Sequence, residues 1–167
     1  VAAVVMDPIV ISEPQGDFLR RVRELTEREG IVLIFDETLT GFRLSLGGAQ
    51  EYFGVTPDLT CYSNSLGNGY PIAAVAGRKE VMESFGEILV PASFGSQPFS
   101  LSAAKTTIAE MREKDVAGHL WEVGRRLRDG YNVLADECDI AENTECVGVG
   151  PLTTVSFKDT SEASGII

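Results

Sequence analysis

The stretch Ile31–Glu37, IVLIFDE, decides how this chain is read. An unbroken apolar run, Ile31 to Phe35, stops abruptly at two carboxylates, Asp36 and Glu37. Such a run is the pattern of a buried strand, and β-branched residues suit its pleat. The same pattern recurs upstream at residues 2–6, AAVVM, closed by Asp7 and Pro8 and again predicting a strand buried on both faces. Between the two lies a predicted helix. Pro14 suits its first turn, Phe18, Val22 and Leu25 recur at helical spacing, and Gly30 supplies the stop.

Downstream, a short amphipathic piece at Ala49–Phe53 leads to a third strand at Leu59–Tyr62, a polar loop, and a fourth strand at Ile72–Ala76. GRKEVMESF predicts a helical turn or two. Beyond Ser100 the pattern is helical with a break near Lys114 and Asp115, and Val116, Leu120, Val123, Leu127, Tyr131 and Leu134 keep one face. From Gly148, VGVGPLTTVSF returns to strand-forming residues, as at the start of a second, smaller domain. Strands alternating with helices predict an α/β fold with a mainly parallel sheet, and such sheets bind ligands beyond the carboxyl ends of their strands. That rule points at Asp7, at Asp36 with Glu37, and at the loop Cys61–Pro71, CYSNSLGNGYP. Its glycines suit a backbone that something approaches closely.

Composition bounds the function. The chain has 167 residues, 44% of them hydrophobic, and a net charge of −11 from 14 Lys and Arg against 25 Asp and Glu. That excess repels nucleic acid and anionic membrane, so neither is an expected partner. Cys61, Cys138 and Cys146 have no paired or CxxC spacing, which predicts reduced thiols in a cytoplasmic protein and no zinc site. No apolar stretch of membrane-spanning length occurs, and VAAVVM at the start is not preceded by a basic region. Both ends read as cut from a longer chain.

Three chemistries fail on the residues. No GxxxxGK[ST] is present, so a phosphate-cradling nucleotidase loop is missing. Gly67 and Gly69 begin a GxG, but Ile72 stands where a dinucleotide loop needs its third glycine. The single histidine, His119, falls inside the long helix, which leaves a Ser/His/Asp triad or a histidine-rich metal site without its base or ligands. What remains is a cofactor that brings its own electrophile.

At this point the motifs GFR (41–43), GGAQEYFGVTPDLT (47–60), GNGYPIAAVAGR (67–78) and ASFGSQPFSLSAA (92–104) carry a resemblance. In order and spacing the chain resembles the class III pyridoxal-phosphate-dependent aminotransferases, closest to their glutamate-1-semialdehyde 2,1-aminomutase-like members. The resemblance implies part of the mainly parallel large-domain sheet of a PLP-dependent transferase, the aspartate-aminotransferase-like fold, with the start of a small C-terminal α+β domain. On this layout residues 1–115 are the PLP-binding portion, incomplete at its N-terminus, 116–147 a long connecting helix, and 148–167 the beginning of the small domain. It also implies a homodimer that shares its pyridoxal 5'-phosphate sites across subunits and acts on a small-molecule amino donor or acceptor.

Carried over position by position, Asp36 matches the aspartate that pairs with the protonated ring nitrogen and keeps the ring an electron sink. Thr38 stands where the family has valine on the ring, and Leu39 lies near the ring's phenolic oxygen. Ser93, with the Phe94 backbone, matches the segment that reaches the partner subunit's cofactor phosphate. Asn64 stands where the family has its Schiff-base lysine. A lysine amine forms an imine and shuttles protons, whereas an asparagine amide only donates and accepts hydrogen bonds. Lys79 and Lys105, the next lysines, belong to other elements and are no substitute. The resemblance thus implies an aminotransferase or aminomutase impaired as written, or alternatively a non-catalytic binding or assembly module that kept the fold and lost the lysine.

Overall fold

Three strands that run the same way organise the first half of the chain. The structure, a computed structural model, describes residues 1–87 and 97–158. Strand β1 (Ala3–Met6) pairs in parallel with β2 (Val32–Asp36), and β2 in parallel with β3 (Leu59–Tyr62). Strand β4 (Ala74–Gly77) returns antiparallel to β3, giving a mixed, mainly parallel sheet in the order β1-β2-β3-β4. The α/β expectation holds.

Helix α1 (Phe18–Arg28) connects β1 to β2, and a short helix α2 (Gly48–Phe53) precedes β3. Each stops in the same manner. After α1, Gly30 takes a left-handed φ of 64° while its N–H reaches Glu27 and that of Ile31 reaches Thr26. These two bonds absorb carbonyls the helix leaves unpaired, and glycine takes the conformation without a Cβ penalty. Gly54 repeats the device after α2, with Val55 N–H on the Gln50 carbonyl.

The core lies on one side of the sheet. Leu33 and Phe35, both fully buried, pack with Leu19 of α1 and with Val55, and Val4, Met6, Val22 and Phe53 close the cluster. Period-two alternation sends their neighbours to the other face. That face is open among the described residues: Val5 is 64% exposed. The prediction that β1 is buried on both faces therefore fails, because β1 is an edge strand that receives a covering helix on one side alone. The predicted helical stripe is corrected too. Phe18 and Leu25 are exposed, and Leu19 and Thr26 are the buried positions. Pro14 lies ahead of the helix, which begins only at Phe18.

Helix α3 (Lys79–Met82) follows β4, and beyond residue 97 come α4 (Pro98–Glu113) and α5 (Val116–Glu137). The break between α4 and α5 falls at Lys114, whose backbone is extended (φ −127°, ψ 151°). Two compact units result, one of residues 1–10 and 14–117, the other of residues 11–13 and 118–167. In the second, α5 packs on the hairpin of β5 (Thr144–Val149) and β6 (Leu152–Phe157). Gly124 admits the hairpin turn, since a Cβ there would collide with the Gly150 carbonyl. Asn132 extends the sheet with its side chain, accepting the Cys146 N–H at 2.8 Å and donating to its carbonyl at 3.0 Å. The predicted apolar ridge meets this hairpin in part: the Tyr131 hydroxyl lies 2.9 Å from that of Thr144, whereas Leu127 and Leu134 are exposed, and Gly124 and Ala135 are the buried positions. Small residues let two backbones approach, and that proximity decides which face turns inward.

Candidate functional site

Parallel strands bring their carboxyl ends to one edge. Met6, Asp36 and Tyr62 end β1, β2 and β3, and the pairing sets Met6 beside Phe35 and Asp36 beside Cys61. The loops after these strands carry the residues picked from sequence. Asp36 is half-buried and accepts the Thr38 N–H at Oδ1, 3.0 Å away, which turns the chain sharply out of the strand. Its charge reaches both neighbours. Burial first and the Asp36 carboxylate second push the Asp7 carboxyl and the Cys61 thiol above their usual ranges. Strand exits β1, β2 and β3 therefore converge as the sheet rule requires.

Thr38 is half-buried and Leu39 is 45% exposed, so both belong to the rim of this edge. Asn64 opens a 3₁₀ turn over Asn64–Leu66 directly beyond β3, with an exposed side chain and a φ of 22°. Within the turn the backbone closes on itself: the Asn64 carbonyl accepts the N–H groups of Gly67 at 3.3 Å and Asn68 at 3.0 Å. Ser63 pins the loop to the Ile72 carbonyl at 3.1 Å, and Asn68 pins it to Thr107 of α4 at 3.2 Å. Among the described residues the Asn64 side chain makes no hydrogen bond, so the loop keeps its shape without it. Ser93 and Phe94 lie outside the described residues. Lys79 sits in α3 beyond β4, paired with Glu83 at 3.7 Å, and Lys105 is exposed on α4, so neither stands in the loop. His119 is exposed on α5.

Sequence reasoning missed what Glu37 does. Adjacent to Asp36, it points the opposite way and is fully buried. Its carboxylate accepts the N–H of Ala49 and, at 3.1 Å, that of Gln50 at the start of α2, and the Thr40 hydroxyl at 3.0 Å. Burial raises its pKa, and those hydrogen bonds oppose the rise. Gly48, at φ 74°, leaves room for the carboxylate where a Cβ would strike it. Glu37 thereby closes residues 37–49 into a fixed loop behind Thr38 and Leu39. A carboxylate inside an apolar-to-polar boundary followed by GG was the available signal.

Two further ties fix this loop against the next. Gln50 Nε2 donates to the Tyr62 hydroxyl at 2.5 Å, and the Phe42 and Tyr62 rings lie 5.3 Å apart. Below the edge, Asp58 is a buried brace: it receives the Leu33 N–H at 2.8 Å and one guanidinium N–H each from Arg23 and Arg78 at 2.9 Å.

Against known proteins, the family model described as Aminotransferase class-III matches residues 1–166. The chain belongs to the class III aminotransferase family. Among curated members, it is 40% identical over 145 residues to a glutamate-1-semialdehyde 2,1-aminomutase of Methanococcoides burtonii, covering 82% of this chain and 34% of that protein. It is 37% identical over 166 residues to the same-named protein of Aquifex aeolicus, covering 95% and 39%. Among solved structures, an omega-transaminase from Sphaerobacter thermophilus superposes with a TM-score of 0.76 at 33% identity, over 93% of this chain and 37% of that one. The Sphingopyxis sp. MTA144 FumI protein, in its PLP internal aldimine form, gives 0.81 at 27% identity, over 94% and 39%. This class III chain thus spans between 34% and 39% of the length of these curated relatives.

Proposed function

We propose that this chain supplies the ring-binding edge of a pyridoxal 5'-phosphate-dependent aminotransferase or aminomutase, acting on a small-molecule amino donor or acceptor. Residues 1–115 are the cofactor-binding portion in this reading. The observation that carries it is the placement of Asp36. A half-buried carboxylate at the end of β2, held in place by the Thr38 N–H, lies beside the loop that follows β3, in a chain of class III sequence.

The residues present fit one half of what pyridoxal phosphate requires. When bound, the group supplies an electron sink for charge developing at the substrate carbon. Asp36 fits a protonated ring nitrogen, because an ionised carboxylate accepts that N–H in a charge-assisted bond and favours the protonated form. Thr38 and Leu39 border the same edge and would shield a bound ring from water there. Asn64 does not fit the covalent half. Its amide nitrogen is delocalised into the carbonyl, so it neither adds to an aldehyde nor takes up a proton at neutral pH. No covalent step is therefore assigned to this chain, and its binding is reversible. Ser93 and Phe94 are proposed to reach the cofactor phosphate of a second subunit in a homodimer, and the compartment proposed is the cytoplasm. No described helix is long and apolar enough to cross a membrane.

Asn64 favours a second reading, a non-catalytic module that retains the fold and assembles with competent subunits. Titration with pyridoxal phosphate, followed by induced circular dichroism of the ring, tests the first. A saturable signal lost in Asp36→Ala is expected; an unchanged signal in that variant excludes Asp36 as the ring partner.

A further inference from the structure

One side-chain bond joins the loop after β2 directly to the turn that Asn64 opens. Arg43 Nε donates to the Ser65 hydroxyl at 2.5 Å, and Ser65 is buried beside it. Ser65 follows Asn64 immediately, within the 3₁₀ turn. Arg43 is itself aimed by an unusual backbone. Its predecessor Phe42 holds a left-handed φ of 60°, which bulky residues rarely adopt, and the ring is pinned against Tyr62. Strained backbone of this kind persists only where the surroundings over-determine it, and it concentrates at functional sites. Here the surroundings are specified: the Arg43 and Leu44 N–H groups close on the Thr40 carbonyl, and Thr40 is anchored by the buried Glu37 carboxylate. A chain of fixed contacts therefore runs from Glu37, next to Asp36, through Thr40 and Arg43 to Ser65, next to Asn64.

We infer that Arg43 is a positioning residue, which sets position 64 relative to Asp36 by holding the Ser65 hydroxyl. Arg43 touches the turn and not the reacting atoms. A single guanidinium N–H on a hydroxyl fixes both distance and direction, and lysine, a compact point charge on a flexible stem, does not reproduce that geometry. The chemical meaning of the brace rests on the functional reading above; the brace itself does not.

The test uses Arg43→Met, Ser65→Ala and the double variant. Hydrogen exchange of the backbone amides of residues 64–69, measured without cofactor, is expected to rise about tenfold in each single variant and no further in the double, as for two ends of one interaction. The melting temperature of the remainder is expected to stay close to that of the parent. With pyridoxal phosphate added, the induced circular dichroism band is expected to lose amplitude in the same variants. Unchanged exchange in Ser65→Ala, or additive effects in the double variant, overturns the proposal. If Arg43→Met fails to fold, Ser65→Ala alone decides it. If the parent shows no dichroism with pyridoxal phosphate but the exchange pattern appears, the functional reading falls and the brace stands.

Discussion

Asp36 and Cys61 face each other in register across β2 and β3, and the thiol feels the carboxylate's charge. Burial and then Asp36 push the Cys61 thiol above its usual range. Replacing Asp36 with Asn removes the negative neighbour, so the thiol pKa falls and more thiolate is present at a given pH. Peptide-level mass spectrometry of alkylation at pH 8 should show Cys61 reacting a few-fold faster in Asp36→Asn, with Cys138 and Cys146 unchanged.

Glu37 is the anchor of the loop behind Asp36. Glu37→Ala leaves the Ala49 and Gln50 N–H groups buried without an acceptor, and a loss of about 3 kcal/mol in urea unfolding is expected. Glu37→Gln keeps an acceptor and should cost less. The pH dependence has a definite sign. Because burial raises the folded pKa above the unfolded one, the stabilising contribution is complete below the unfolded value, about 4.3, and is lost as pH rises through the folded value. The stability gap between the parent and Glu37→Gln should therefore move in the parent's favour on acidification.

Asp58 shifts the other way. Burial disfavours its charge, but the Leu33 N–H and the Arg23 and Arg78 guanidinium groups outweigh that and hold the carboxyl below its usual range. Its contribution is present above the unfolded pKa, about 3.9, and is lost as pH falls through the folded one. Asp58→Ala should cost about 3 kcal/mol, since it strands the partly buried Arg23. Arg78 is 59% exposed, so Arg78→Ala should cost no more than about 1 kcal/mol. Urea midpoints at pH 7 and pH 3 check both.

In the second unit, Gly124→Ala forces a methyl group into the Gly150 carbonyl. A loss of about 1–3 kcal/mol in thermal unfolding of that unit is expected.

The sequence displayed some of this clearly. IVLIFDE and the run at Leu59–Tyr62 read as strands because an apolar run needs burial wherever it goes, and the strand-exit rule then located Asp36 and the Asn64 loop without coordinates. Lys114 read as a helix break for equally local reasons. What escaped depended on distant partners. Phe18, Leu25, Leu127 and Leu134 satisfy helical spacing and are nevertheless exposed, since spacing cannot say which side of a helix a neighbour occupies. Asp36 and Glu37 look alike in sequence, and only the pleat separates them, one to the edge and one into the core. The Arg43–Ser65 bond spans 22 positions and has no local signature.

The proposal that this edge binds pyridoxal phosphate, with residue 64 where the resemblance places the family's lysine, rests on Asp36 and the Asn64 loop. It is tested most directly by borohydride reduction of the protein with pyridoxal phosphate, followed by peptide mass spectrometry, for the parent and for Asn64→Lys. No reduced adduct in the loop is expected for the parent, and a stable pyridoxyl adduct at position 64 is expected in Asn64→Lys, weakening when Asp36→Ala is added. An adduct confined to Lys79, Lys105 or other surface lysines in both proteins would contradict it.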